Sequence, residues 1–164
     1  MNQTTDITVS SPELVIHSTF SIDRTYPQSP ARVFHAHANE AMKRRWLAEG
    51  EGWEVSKFTL DFRIDGAETS RFRYQAGPEI SYDALFQDIV VNERIVFVYR
   101  MAVAGKPISV SLATTQLVAT GTGGTVLTYT EQGTYFGDPN APKHREEGSR
   151  DILEKLAAEL QAAG

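Results

Sequence analysis

The sequence contains no cysteine. That excludes disulfides, thiolate metal sites and cysteine nucleophiles, and it fits a reducing cytoplasm. No apolar run approaches the ~20 residues that a membrane-spanning helix needs. Positive charge is in the minority: 16 Lys and Arg stand against 21 Asp and Glu, for a formal net charge of −5. A general nucleic-acid binder needs the opposite balance to neutralise phosphates. Histidine is sparse, with four residues at 17, 35, 37 and 144. His35 and His37 stand two apart on a predicted helix, so they face different ways, and there is no His-Glu-x-x-His pattern. No metal and no cofactor are expected. Of the four, only His37 falls on an apolar stripe, where it is placed to touch a cavity.

What remains is ordinary for a globular protein. The 164 residues are 41% hydrophobic and 23% charged, enough for one domain with a sizeable core. Residues 1–12 are polar and lack the basic start and apolar middle of a signal peptide. They read as a disordered tail, and residues 13–164 as one domain.

The chain opens with a β-rich stretch from Glu13 to Tyr26. Ser29-Pro30 then starts a helix, with serine as N-cap and proline in the first turn. Val33, Phe34, His37, Ala38, Met42 and Trp46 recur at spacings of three and four. Asn39 divides this stripe into two short helices. Lys43-Arg44-Arg45 on the second reads as a solvated face rather than a docking patch.

Trp53 to Phe136 reads as strands. Phe58, Leu60, Phe62 and Ile64 alternate with Thr59, Asp61 and Arg63, the pattern of a half-buried antiparallel strand. Their apolar phase is expected to face the last helix, with Asp61 and Arg63 outside. Asp65-Gly66, Gly77-Pro78, Asn92-Glu93, Gly105 to Pro107 and Gly121 to Gly124 punctuate the run as turns. The last of these, Gly121-Thr122-Gly123-Gly124, joins two strands and lacks lysine. It therefore reads as a hairpin and not as a phosphate loop. A final helix from about Lys143 to Ala163 carries Ile152, Leu153, Leu156, Ala157 and Leu160 on one stripe, extended by Arg145 and Gly148. Hairpin-linked strands followed by one long helix define an α+β domain.

Several segments in this order resemble a known family: Pro30-Ala31-Arg32-Val33-Phe34, then Trp46, then Asp61-Phe62-Arg63-Ile64-Asp65-Gly66. Glu93-Arg94-Ile95-Val96-Phe97, Thr130-Glu131-Gln132-Gly133 and Arg145-Glu146-Glu147-Gly148 follow. Together they resemble the START-like (SRPBCC) helix-grip superfamily, and within it the branch of activator of heat-shock-protein-90 ATPase homologues with polyketide-cyclase-like relatives. The resemblance runs from about Val15 to Leu160. It implies about seven antiparallel strands curved around the C-terminal helix, two short helices after strand one, and a cavity between sheet and helix. The sequence departs from the pattern at Arg45-Trp46, where many relatives have paired tryptophans. It departs again at Ser149, where many have tryptophan.

Such a cavity would hold a small apolar or amphipathic molecule. Its candidate lining is Trp46, Phe58, Phe62, Phe72, Tyr82, Phe86, Tyr99, Tyr129, Glu131, Gly148 and Ile152. Glu131 shares the inward phase of the last strand with Leu127 and Tyr129, so its carboxylate needs a partner or water. Two readings stay open for it: a polar anchor for a ligand, or an ion pair with Arg145. Gly148 is unfavourable inside a helix by about 1 kcal/mol, so it marks space or close packing. The alternative functions are a cyclase- or hydrolase-like enzyme and a chaperone activator. An open sheet edge or the helix pair would permit a homodimer.

Overall fold

Alternation of apolar and polar residues carries most of the chain into one sheet. The computed structural model describes residues 12–162, so the tail expected over residues 1–12 lies, apart from Pro12, outside the described residues. The elements are β1 (Val15–Tyr26), α1 (Pro30–Ala38), α2 (Glu40–Leu47), β2 (Trp53–Leu60), β3 (Ala67–Tyr74), β4 (Ile80–Val90), β5 (Arg94–Val103), β6 (Lys106–Ala119), β7 (Thr125–Phe136) and α3 (Ala141–Ala162). The strands form one sheet in the order β1-β7-β6-β5-β4-β3-β2. Every neighbouring pair is antiparallel.

Local chemistry fixes the joints. Ser29 caps α1 by accepting from the Arg32 amide at 3.3 Å, with Pro30 behind it. Asn39 ends α1 and caps α2, its side chain accepting from the Met42 amide at 3.0 Å. One asparagine thus turns a single amphipathic stripe into two helices. The glycine-rich 121–124 segment is a hairpin turn, closed by the Thr120 amide donating to the Gly124 carbonyl at 2.9 Å.

The stretch after Leu60 departs from expectation. The alternation predicts a strand through Ile64, but the strand ends at Leu60 and Ile64 is 49% exposed. Residues 61–66 fold into a wide turn instead. The Asp61 amide donates to the Ala67 carbonyl, and the Gly66 amide to that of Arg63, both at 2.9 Å. Asp65 sits at φ 66°, and a Cβ at Gly66 would lie 2.0 Å from the Asp61 carbonyl oxygen. The turn therefore needs glycine there. Asp61 and Arg63 are exposed and paired with each other at 2.9 Å. Phe62 turns inward and meets Phe34 and Phe86 edge-on at 5.5 and 5.1 Å.

α3 packs on α1, α2, β1 and β7. Its stripe buries Leu153, Leu156 and Leu160 among Phe20, Ile22, Val33, Trp46 and Leu127. The buried Tyr26 hydroxyl donates to the Leu153 carbonyl at 2.9 Å, and the Trp46 indole donates to the Ala36 carbonyl, also at 2.9 Å. The helix thus seats on one half of the sheet, and the inner face of β3, β4 and β5 lies beyond it.

Leu156 is fully buried at the centre of this seat. Leu156→Ala is expected to lower stability by roughly 2–5 kcal/mol, read as an earlier urea midpoint with an unchanged slope. A midpoint equal to the parent's would mean that the helix does not depend on this contact.

Candidate functional site

The space between α3 and the far half of the sheet is a cavity of about 420 Å³. Its wall combines aromatic and apolar side chains from the strands (Phe72, Tyr82, Phe97, Tyr99, Met101 and Tyr129) with Trp46 from α2 and Ile152 from α3. Gly148 lies on the helix side, and a Cβ built there would meet nothing within 4 Å. Ser149, one of the two departures from the family pattern, is buried and also lines the wall. Trp53, His144, Arg145, Asp151 and Lys155 also line the wall; Trp53 and Asp151 are solvent-exposed, and Lys155 also donates to the Glu49 carbonyl.

Of the residues expected to line the cavity, Trp46, Phe72, Tyr82, Tyr99, Tyr129, Gly148 and Ile152 do so. Phe58, Phe62 and Phe86 are not part of the wall. They carry the same inward phase, but Phe62 and Phe86 are used up in core packing with Phe34, and Phe58 is buried on β2 away from the cavity. Periodicity assigns a face and does not distinguish filled core from empty space.

Glu131 lies one layer behind the wall. It is fully buried, and four bonds occupy its carboxylate. Oε1 accepts from the Tyr99 hydroxyl at 2.7 Å, the Ser111 hydroxyl at 2.7 Å and Arg145 at 2.9 Å. Oε2 accepts from the Tyr129 hydroxyl at 2.8 Å. Arg145 also reaches Ser109 at 2.7 Å, and its guanidinium lies 5.4 and 5.3 Å from the ring centres of Tyr99 and Tyr135. Gly133 makes room for this arrangement, since a Cβ there would meet the Tyr135 hydroxyl at 2.5 Å. The ion pair with Arg145 is thus realised, and the carboxylate is committed within the protein. Burial, then Arg145 and Glu131 acting in opposite senses, leaves the Tyr99 hydroxyl well above its ordinary pKa. Burial does the same for Tyr129, reinforced by Tyr99 and Glu131. Both stay protonated donors at neutral pH.

A second polar cluster lies at the α1–α2 end. Lys43 is buried rather than solvated, 4% exposed, and donates to Glu68 Oε2 at 2.5 Å. Its ammonium lies 5.3 and 5.8 Å from the ring centres of Phe86 and Phe97. Only Arg44 and Arg45 of the basic run are on the surface, paired with Glu49 and Glu159. His37 lines the cavity, its ring 4.9 Å from that of Trp46, and its Nδ1 donates to the Val33 carbonyl at 2.8 Å. Burial, with the Lys43 charge adding to it, lowers its pKa to about 4. Ser70 also lines the wall, and Lys43 does so beside its bond to Glu68. The phase of β3 signals the cluster, because Glu68 and Ser70 share the inward face with Phe72.

A grooved antiparallel sheet, a long C-terminal helix and a cavity between them define the helix-grip fold of the START-like (SRPBCC) superfamily, a class of ligand-binding domains. Residues 27–161 match the family described as Activator of Hsp90 ATPase homolog 1-like protein. The chain belongs to that family. The crystal structure of a Rhizobium loti protein is 57% identical, with a TM-score of 0.82 over 89% of this chain and 99% of that one. A Rhizobium leguminosarum protein is 32% identical, with a TM-score of 0.87 over 93% and 99%. An AHSA1-like protein from Aeromonas hydrophila shares the fold at 19% identity and a TM-score of 0.68, over 90% and 94%. No curated protein matches the sequence. Among the described residues no helix is long and apolar enough to cross a membrane, and no three or more His, Cys, Asp or Glu side chains cluster so as to hold a metal ion.

Two predictions follow from the buried polar groups. Arg145→Met strands the Glu131 carboxylate and is expected to cost roughly 3–5 kcal/mol, most of it recovered by adding Glu131→Leu; chemical denaturation of both variants checks this. His37 titrates at about 4 in the folded chain against about 6.5 when unfolded. The unfolded state therefore binds the proton first. Its contribution is complete above pH 6.5 and is lost as pH falls towards 4, on the order of 3 kcal/mol in full. A His37→Asn variant should lack that part of the acid destabilisation, measured as the parent-minus-variant stability between pH 7 and pH 4.

Proposed function

We propose that this protein binds a small apolar or amphipathic molecule in the cavity between α3 and β3–β5. The observation that carries this reading is the open space opposite Gly148. A helix that needed only to pack would gain stability from alanine or leucine there, and nothing stands within 4 Å of that position. The volume, about 420 Å³, lies in the range of small-molecule sites, which are typically apolar with a few placed polar groups. Both buried ion pairs at the cavity, Arg145 with Glu131 and Lys43 with Glu68, are neutral overall. That favours a ligand without net charge in the buried part of the cavity, where a charged one would be desolvated with no free counter-charge; the other charges on the wall, Asp151 and Lys155, are of opposite sign, and Asp151 is solvent-exposed.

The enzyme reading has less support. A general acid or base must reach the substrate, and the Glu131 carboxylate is enclosed by four donors, while Tyr99 and Tyr129 are held protonated. The chaperone-activator reading rests on the family's description alone.

Gly148→Leu tests the proposal. It is expected to keep the fold and raise helix stability, while abolishing displacement of a hydrophobic fluorescent dye and removing any compound that co-purifies in native mass spectrometry. Undiminished dye binding by this variant would place the binding elsewhere.

A further inference from the structure

The two polar ends of the cavity differ in one respect. At the Arg145 end each oxygen of the Glu131 carboxylate already has a partner within the protein, and the one unpartnered group beside Arg145, the buried Tyr135 hydroxyl, is not on the cavity wall. At the Lys43 end Ser70 Oγ and Glu68 Oε1 are buried and have no hydrogen-bond partner among the described residues. Ser70 is 1% exposed and Glu68 fully buried. A buried polar atom left unpaired costs about 1–3 kcal/mol, more when charged, so such an atom in a native structure calls for an explanation, and of these two the Ser70 side chain stands on the cavity wall.

The chemistry of that occupant can be read from the groups that await it. His37 donates through Nδ1 to a carbonyl, which can only accept. The ring is neutral at physiological pH. Its Nε2 is therefore an acceptor. Glu68 Oε1 is an acceptor, and the Ser70 hydroxyl can both give and accept. Lys43 is a donor whose charge Glu68 already balances at 2.5 Å. Ser70, Lys43 and His37 all line the cavity, and Tyr82, the cross-strand partner of Ser70, lines it beside them, while Glu68 stands behind Lys43, off the wall. The set offers acceptors and donors side by side, with no net charge. A carboxylate would meet Glu68 and the His37 lone pair; an ammonium would meet Lys43. A hydroxyl group both donates and accepts, and it fits.

We infer that the Lys43 end of the cavity is a subsite for the hydroxyl of a neutral, largely apolar alcohol or phenol, recognised by Ser70, His37 and the Lys43–Glu68 pair. The inference rests on the cavity being a ligand site, and it adds the orientation: hydroxyl towards α1 and α2, apolar body along Phe97, Tyr129 and Ile152. The Arg145 end then serves to hold α3 in place and not to recognise the ligand.

The test uses four probes of one shape, 2-naphthol, 2-methylnaphthalene, 2-naphthoate and 2-naphthylmethylammonium, titrated into the intact protein by fluorescence. The parent is expected to bind 2-naphthol about tenfold tighter than 2-methylnaphthalene, the worth of one good hydrogen bond, and both charged probes more weakly than 2-naphthol. Ser70→Ala removes a hydroxyl that has no partner, so it folds. It should bring the naphthol-to-methylnaphthalene ratio down towards one while leaving the affinity for 2-methylnaphthalene within about threefold. A crystal structure of the naphthol complex should place the hydroxyl within hydrogen-bond distance of Ser70 Oγ or His37 Nε2. Equal binding of 2-naphthol and 2-methylnaphthalene by the parent would overturn the subsite, with water satisfying these groups, and leave the cavity reading intact. So would a hydroxyl found at the Arg145 end. Failure of all four probes to bind, or binding that Gly148→Leu does not disturb, would overturn the cavity reading and the subsite with it.

Discussion

The contact between Arg145 and Glu131 sets the geometry on which the rest depends. α3 seats its leucines on β1 and β7, and only near its first turns does it reach across towards β5 and β6. A guanidinium spans that distance where an aliphatic side chain could not, and its fork matches one carboxylate and three hydroxyls together. Desolvating two charges is costly, and a buried pair of this kind adds little net stability over a well-packed apolar substitute. Its contribution is positional. It holds the helix over the sheet at a distance that leaves the space beneath Gly148 unfilled.

The same reasoning extends to Lys43 and Glu68. The two pairs lie at opposite ends of the cavity and tie two different helices to two different strands. An apolar core in these places would have collapsed further, because nonpolar side chains gain from every void they close. Polar links between rigid elements resist that collapse, since they fix a length.

Much of the fold is legible in the sequence, and so is part of the site. Ser29-Pro30, Asn39 and the glycine turns mark joints through local chemistry that needs no tertiary context. The phase of Leu127, Tyr129 and Glu131 shows an inward carboxylate, and Arg145 stands on the right stripe of α3 to meet it. The strand beyond Leu60 misleads because Phe62 and Ile64 continue the alternation while Gly66 and the left-handed Asp65 close a turn that no period reveals. Lys43 misleads because its two neighbours are surface arginines. Yet it stands three residues before Trp46, on the same stripe, and Glu68 opposite carries the inward phase of Ser70 and Phe72. The distinction between Phe86 in the core and Tyr99 at the cavity depends on where α3 stops covering the sheet, which is set by packing in three dimensions and leaves no trace in periodicity.

α3 has the mechanics of a beam clamped at both ends. One clamp is the Arg145 network; the other is the set formed by Leu153, Leu156 and Leu160 with the Tyr26 hydroxyl. Gly148 stands between the clamps, where the span crosses open space, and it is the residue with the least resistance to bending. Load applied from inside the cavity therefore falls on the softest point of the span. Under the binding role proposed above, bodies of different girth would be met by bowing this one helix, with neither clamp released and the sheet left as it was.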